Sequence, residues 1–246
     1  MATEPAVAAI HPPAPPPGPS APPGLAGVPV RRGPGRALKP VAFALCLAPL
    51  AKIGVDGAAG NLGAEPVQVV LNRLGFWALT LLTLSLVPTP AKALLGITWP
   101  QRLRRLVGLF AFSYGVLHLA FYVGVDKFLD LPEIWKDVTT RRFQAVGLLT
   151  LLLLLPLAVT STDGWVRRLG FARWKRLHRL VYLAAVLGVV HFTWRVKADL
   201  RRPLVFAGAV GALLLVRLVP AARRRLARAA PAGAARANGP GPPAPQ

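Results

Sequence analysis

Three histidines sit where side-chain chemistry is expensive. His118 lies inside the apolar run Leu106–Val125, and His191 lies inside the apolar run Leu180–Trp194. His178 stands at the entrance to that second run, thirteen positions before His191. A titratable side chain at membrane depth is costly and by default marks a functional site. Two imidazoles on two apolar helices, with no other strong ligand nearby, suit axial ligation of a haem iron.

Other ligand chemistries are excluded by composition. The chain has one cysteine, Cys46, and no C-x-x-C-H, so covalent c-type haem, iron–sulfur clusters and cysteine zinc sites are ruled out. Its only methionine is Met1, which rules out a His/Met haem. Bis-His or His-plus-water ligation remains. His11 lies in a Pro-rich arm and is given no role.

Depth pairs two of the three. His118 is thirteen residues beyond Arg105, the last basic residue before its run, and His191 is thirteen beyond His178. At 1.5 Å per residue both lie roughly 20 Å from the inner boundary. His118 and His191 are therefore the expected axial pair, on a haem nearer the outer face. His178 belongs near the inner face, where the matching level of the other helix holds Arg105, which cannot ligate iron. It could hold a second haem with a weak or absent partner, donate to a quinone carbonyl, or carry a proton. His178 and His191 are roughly 140° apart around an ideal helix, so they need not serve one face. The plain alternative for each histidine is an interhelical hydrogen bond. Phe112, Tyr114, Phe121, Tyr122, Tyr182, Phe192 and Trp194 could line a haem pocket, or belong to interfacial belts. Gly108, Gly115 and Gly188 permit close approach of a macrocycle or of a neighbouring helix.

The elements that must carry these residues follow from bulk properties. The chain has 246 residues, 54% hydrophobic, with a mean hydropathy of +0.48. That is too apolar for an ordinary soluble domain. Six runs come near the roughly 20 residues a spanning helix needs: Leu38–Val55, Val67–Val87, Leu106–Val125, Phe143–Thr160, Leu180–Trp194 and Leu204–Val219. The fifth is short unless His178 and Arg179 open it. The expected fold is all-α: a polytopic bundle of six transmembrane helices over 38–219. A disordered Pro/Ala/Gly-rich arm (1–37) precedes it, and an Arg/Ala then Gly/Pro tail (220–246) follows. Pro156 and Pro49 are expected to kink their helices.

Charge gives the topology. The net charge is +21, but the basic residues concentrate between runs, as orientation in a membrane requires, which argues against nucleic acid. With the N-terminus inside, twenty of the thirty basic residues and two of the nine acids face the cytoplasm, together with both termini. Arg195, Lys197, Arg201 and Arg202 run against this rule on the outer side. They could dock a soluble partner or contact lipid phosphates.

Five segments together carry a resemblance: L-G-A-E-P (Leu62–Pro66), R-R-L-V-G-L-F-A-F-S-Y-G-V-L-H-L (Arg104–Leu119), T-S-T-D-G-W-V-R-R-L-G (Thr160–Gly170), W-K-R-L-H-R-L-V-Y (Trp174–Tyr182) and H-F-T-W-R-V-K (His191–Lys197). Over roughly 38–219 the chain resembles the MsrQ (YedZ) family, within the ferric-reductase-like transmembrane superfamily. The resemblance implies the b-type haem-binding membrane subunit of the bacterial periplasmic methionine sulfoxide reductase system. Such a subunit sits in the inner membrane and draws electrons from the quinone pool. It delivers them to a periplasmic molybdenum-cofactor partner that repairs oxidised proteins. It is an electron-transfer subunit, not the catalytic one. The resemblance carries the haem histidines to His118, His178 and His191. It also implies FMN, although no flavin motif matches residue by residue, and the N-terminal arm departs from the compact family pattern.

Two rivals remain. A ferric reductase core would need a separate donor subunit, since only about 27 residues follow Val219, too few for a fused flavin and nicotinamide domain. A proton-coupled transporter would use His118 and His191 as relays instead.

Overall fold

The computed structural model describes residues 35–196 and 198–217. The expected arm up to residue 34, the tail 220–246, the end of the sixth run and Lys197 lie outside the described residues. Among the described residues all regular structure is helical. The helices are α1 (Gly35–Ala58), α2 (Pro66–Leu86), α3 (Pro88–Leu95), α4 (Arg104–Phe121), α5 (Leu131–Thr140), α6 (Arg142–Val159), α7 (Asp163–Leu169), α8 (Phe171–Leu177) and α9 (Leu180–Arg195). A further helix, α10, covers 201–217. Five segments are long and apolar enough to cross a membrane: Leu38–Ala58, Pro66–Leu95, Arg104–Asp126, Arg142–Val159 and Phe171–Arg195. They match the first five expected runs. α10 occupies the described part of the sixth.

The apolar surface explains why these helices belong in lipid. Val41, Phe43, Leu45 and Val55 on α1, Leu152 and Val159 on α6, and Leu204 and Val205 on α10 are all at least half exposed. Contiguous apolar surface on this scale needs a hydrocarbon solvent. The core lies inside the bundle, built on Leu74, Leu82 and Leu86 of α2, Ala111 and Tyr114 of α4, and Ala184 and Ala185 of α9.

Two helix pairs make the frame. α2 packs along α4, α6 packs along α9, and α4 also touches α6. α4 and α9 are not a close-packed pair, so side chains must meet across the space between them.

Prolines and polar groups shape the helix interiors. Pro49 lies inside α1. One residue on, the buried Tyr114 hydroxyl accepts from the Leu50 N–H and donates to the Cys46 carbonyl, both at 2.9 Å. It thus stands in the Leu50-to-Cys46 rung of the α1 ladder, an insertion that bends helices. This commits the Tyr114 hydroxyl to α1 and not to a cofactor pocket.

The fifth span is longer than its apolar run suggests. α8 precedes α9 with only His178 and Arg179 between them, and both belong to one spanning segment. The break has a local cause. Gly170, with φ of 73°, stops α7 in a backbone region that suits glycine. α8 restarts after it, and the Trp174 indole then donates to the Thr160 carbonyl at the end of α6 (2.9 Å). Arg105, at the start of α4, pairs with Asp163, at the start of α7 (2.7 Å). These loops therefore share one end of the bundle, as the charge pattern requires.

Candidate functional site

His118 and His191 come together. Their ring centroids are 6.3 Å apart, with planes at 80°. Each ring is fixed from behind by a neighbouring helix. His118 Nδ1 bonds the Leu71 carbonyl of α2 (3.0 Å), and His191 Nδ1 bonds the Phe143 carbonyl of α6 (2.7 Å). A carbonyl can only accept, so both Nδ1 atoms carry the proton. Both Nε2 atoms then hold a free lone pair. Metal-ligating histidines commonly use this arrangement, in which the second nitrogen donates to a carbonyl.

The separation suits two ligands to one metal. Imidazole nitrogen–metal bonds of about 2.0–2.1 Å on opposite sides of an ion put ring centroids roughly 6 Å apart. Among the described residues no group of three or more His, Cys, Asp or Glu is clustered to hold a metal. Two ligands without a third suit a metal whose other positions are filled by a macrocycle. The residues present therefore fit a haem.

Two glycines that sequence reasoning did not single out complete the cradle. A Cβ on Gly75 of α2 would lie 3.3 Å from His118 Cε1. A Cβ on Gly147 of α6 would lie 2.6 Å from His191 Nδ1, closer than atoms can approach. Each glycine backs the ring held by a carbonyl of its own helix. Glycine inside a helix costs roughly 0.5–1 kcal/mol relative to alanine, so two of them against the two rings are informative. Of the expected glycines, Gly115 and Gly188 pack on Leu151 and Leu79, whereas Gly108 has open space around it.

His178 is not brought to this pair. It ends α8, stacks on Trp174 at 4.0 Å, and bonds the Trp174 carbonyl through Nδ1 (3.1 Å). Its Nε2 is buried without a hydrogen-bond partner among the described residues.

The cationic cluster expected on the outer side divides. Arg201 and Arg202 are exposed at the start of α10. Arg195 is half-buried and donates to Gln68 Oε1 (3.1 Å), whose amide donates to Asp126 (3.1 Å). Arg217, expected among the inner orienting charges, is also half-buried. It donates to the Leu86 carbonyl and to the Tyr182 hydroxyl. Of the aromatic candidates, Tyr122 donates to Asp137 (2.8 Å), Phe192 packs edge-on against Phe206, and Trp194 is exposed.

A helical membrane bundle with facing histidines on two of its spans defines a class, and the comparisons name it. Residues 74–189 match the family described as ferric reductase like transmembrane component. The chain is 56% identical over 189 residues to the protein-methionine-sulfoxide reductase heme-binding subunit MsrQ of Rhodospirillum rubrum, covering 77% of this chain and 91% of that one. The subunit of the same name from Caulobacter vibrioides is 50% identical over 173 residues, 70% of this chain and 82% of its own. That from Deinococcus radiodurans is 51% identical over 174 residues, 70% of this chain and 86% of its own. The chain belongs to the MsrQ family.

Proposed function

We propose that this protein is a b-type cytochrome of the inner membrane, and that His118 and His191 are the axial ligands of its haem. The observation that carries the reading is the pair of facing imidazoles with both Nδ1 protons committed to carbonyls. The relatives named above are called heme-binding subunits of protein-methionine-sulfoxide reductase, which supports the same cofactor and the same system.

Haem held by two histidines supplies one-electron transfer and offers no open iron position for substrate. The remaining work falls to the chain. Leu71 and Phe143 orient the rings, Gly75 and Gly147 leave them room, and the lipid-facing helices keep water away. We assign the electron source to the membrane quinone pool. The electron acceptor is a periplasmic molybdenum-dependent protein-methionine-sulfoxide reductase, so that the pair repairs oxidised periplasmic proteins. In this reading α10 is the sixth span and both termini are cytoplasmic. Arg201 and Arg202 face the periplasm and dock the partner. FMN rests on the family resemblance alone, and no residue is assigned to it. His178 stands apart from the axial pair, and with its Nδ1 proton committed to the Trp174 carbonyl its Nε2 lone pair is available as a ligand or proton acceptor near the inner face.

The test is a reduced-minus-oxidised spectrum of the purified protein with haem quantification. A sharp b-type band that is lost in both His118→Ala and His191→Ala is expected. A colourless protein after haem supplementation would instead support the proton-coupled transporter.

A further inference from the structure

We propose that Arg195 binds a haem propionate, with Gln68 and Asp126 holding its guanidinium in place. This inference rests on the haem reading above and concerns a different part of the same ligand.

The position follows from helix geometry. Arg195 is four residues after His191, one turn further toward the outer end and on the same face of α9. Gln68 is three residues before Leu71, whose carbonyl holds His118, so it sits one turn outward on α2. Asp126 closes the single π turn that continues α4 beyond His118. Three helices thus converge on one guanidinium just above the two rings.

The surroundings of Arg195 are what call for an outside anion. Arg73 pairs with Asp56, Lys127 with Glu133 and Asp137, Arg141 with Asp137, and Arg105 with Asp163. Arg195 is half-buried, yet among the described residues it pairs with no carboxylate. Asp126 makes no direct bond to it and is linked to it by hydrogen bonds through the neutral Gln68 amide. Arg217 too is half-buried and, among the described residues, without a carboxylate, but its bonds run to the Tyr182 hydroxyl and to the carbonyl of Leu86, at the opposite end of α2 from Gln68. A partly buried cation is costly unless a counter-charge arrives. A haem gripped by the two histidines brings two carboxylates on one edge of its ring. A guanidinium with donors to spare suits one of them, since arginine pairs carboxylates through two parallel bonds.

The experiment measures haem loss to excess apomyoglobin from the full chain in nanodiscs. Wild type, R195Q and R195K are each loaded with haem b or with its dimethyl ester, which has no propionate charge. R195Q should release free-acid haem roughly tenfold faster than wild type. R195K should fall between them, and all three should release the ester at one rate. Q68L should speed free-acid release less than R195Q does. Equal acceleration for both haems, or none for either, overturns the proposal. A wild-type chain that takes up no haem would instead sink the haem reading itself.

Discussion

At the residue scale, Gly147 is the tightest constraint in the site. The ring it backs is hydrogen-bonded to Phe143, one turn earlier on the same helix, so the ring cannot move aside without losing that bond. Gly147→Ala should therefore tilt His191 and weaken its proposed axial bond to haem. Gly75→Ala meets its ring at 3.3 Å and needs only a few tenths of an ångström of relief. Haem content at equal protein should drop severalfold in Gly147→Ala and stay near wild type in Gly75→Ala. Equal haem content in both variants would remove the cradle argument. The histidines themselves could be read from the sequence, because imidazoles in apolar runs stand out and their spacing from the basic boundaries gives depth. Their neighbours could not. Leu71 and Phe143 lie 47 and 48 positions from the rings they hold, and they act through carbonyls that every residue possesses. Gly75 and Gly147 carry no signal beyond being glycines in helices. Arg195 was visible as a charge, but its inward turn onto Gln68 depends on a partner 127 positions away.

At the element scale, the loop beyond α4 is held by a compact ion network. The Asp137 carboxylate accepts from Tyr122 and pairs with Lys127 and Arg141, both at 3.1 Å. Burial pushes its carboxyl up, but the bonds from Tyr122 and Lys127 outweigh that and leave it below the ordinary aspartate value. Lys127 is held above the ordinary lysine value by Glu133, against its own burial, with Asp137 adding to the effect. A lowered aspartate contributes stability that is complete above its unfolded value, about pH 3.9, and is lost as pH falls through the folded one. A raised lysine contributes stability that is complete below its unfolded value, about pH 10.4, and is lost as pH rises through the folded one. The network should thus be intact from about pH 4 to pH 10. Asp137→Asn should cost about 3–5 kcal/mol at neutral pH, the range for breaking a buried pair, and should flatten the acid limb of stability. Thermal unfolding in detergent across pH would show both. An unshifted midpoint at pH 7 would mean the network is incidental. The network also fixes the amphipathic α5, whose exposed Leu131 and Trp135 lie on the face away from Asp137. The apolar runs located the spans well. They did not reveal that the basic segment before Leu180 is itself a helix, α8, or that α4 ends in a π turn, since a charged helix lies outside any apolar run and the π turn leaves the run unbroken. For α1 and α6, apolar on every side, periodicity could not say which face packs inward.

At the scale of the whole molecule, the question is how the proposed partner would find the end of the bundle that carries the proposed haem. Arg201 and Arg202 sit in the first turn of α10, where the positive end of the helix dipole disfavours cations. The described neighbours do little to offset this, since Asp199 caps the Arg201 N–H at 3.0 Å but pairs with neither guanidinium. Two exposed cations on a helix N-terminus concentrate positive field at one spot, and they follow closely on the helix that carries His191. Such a patch steers an acidic partner by long-range attraction, screened beyond about 10 Å at 0.1 M salt. If the proposed molybdenum-dependent partner is the acceptor, charge reversal, Arg201→Glu with Arg202→Glu, should slow electron delivery to it about tenfold at low ionic strength. The deficit should shrink as salt rises, with the haem band unchanged throughout. Lipid phosphates are the competing ligand for the same charges, and they predict a different result. In that case reversal would alter insertion or stability while the delivery rate at low salt stayed at the wild-type value.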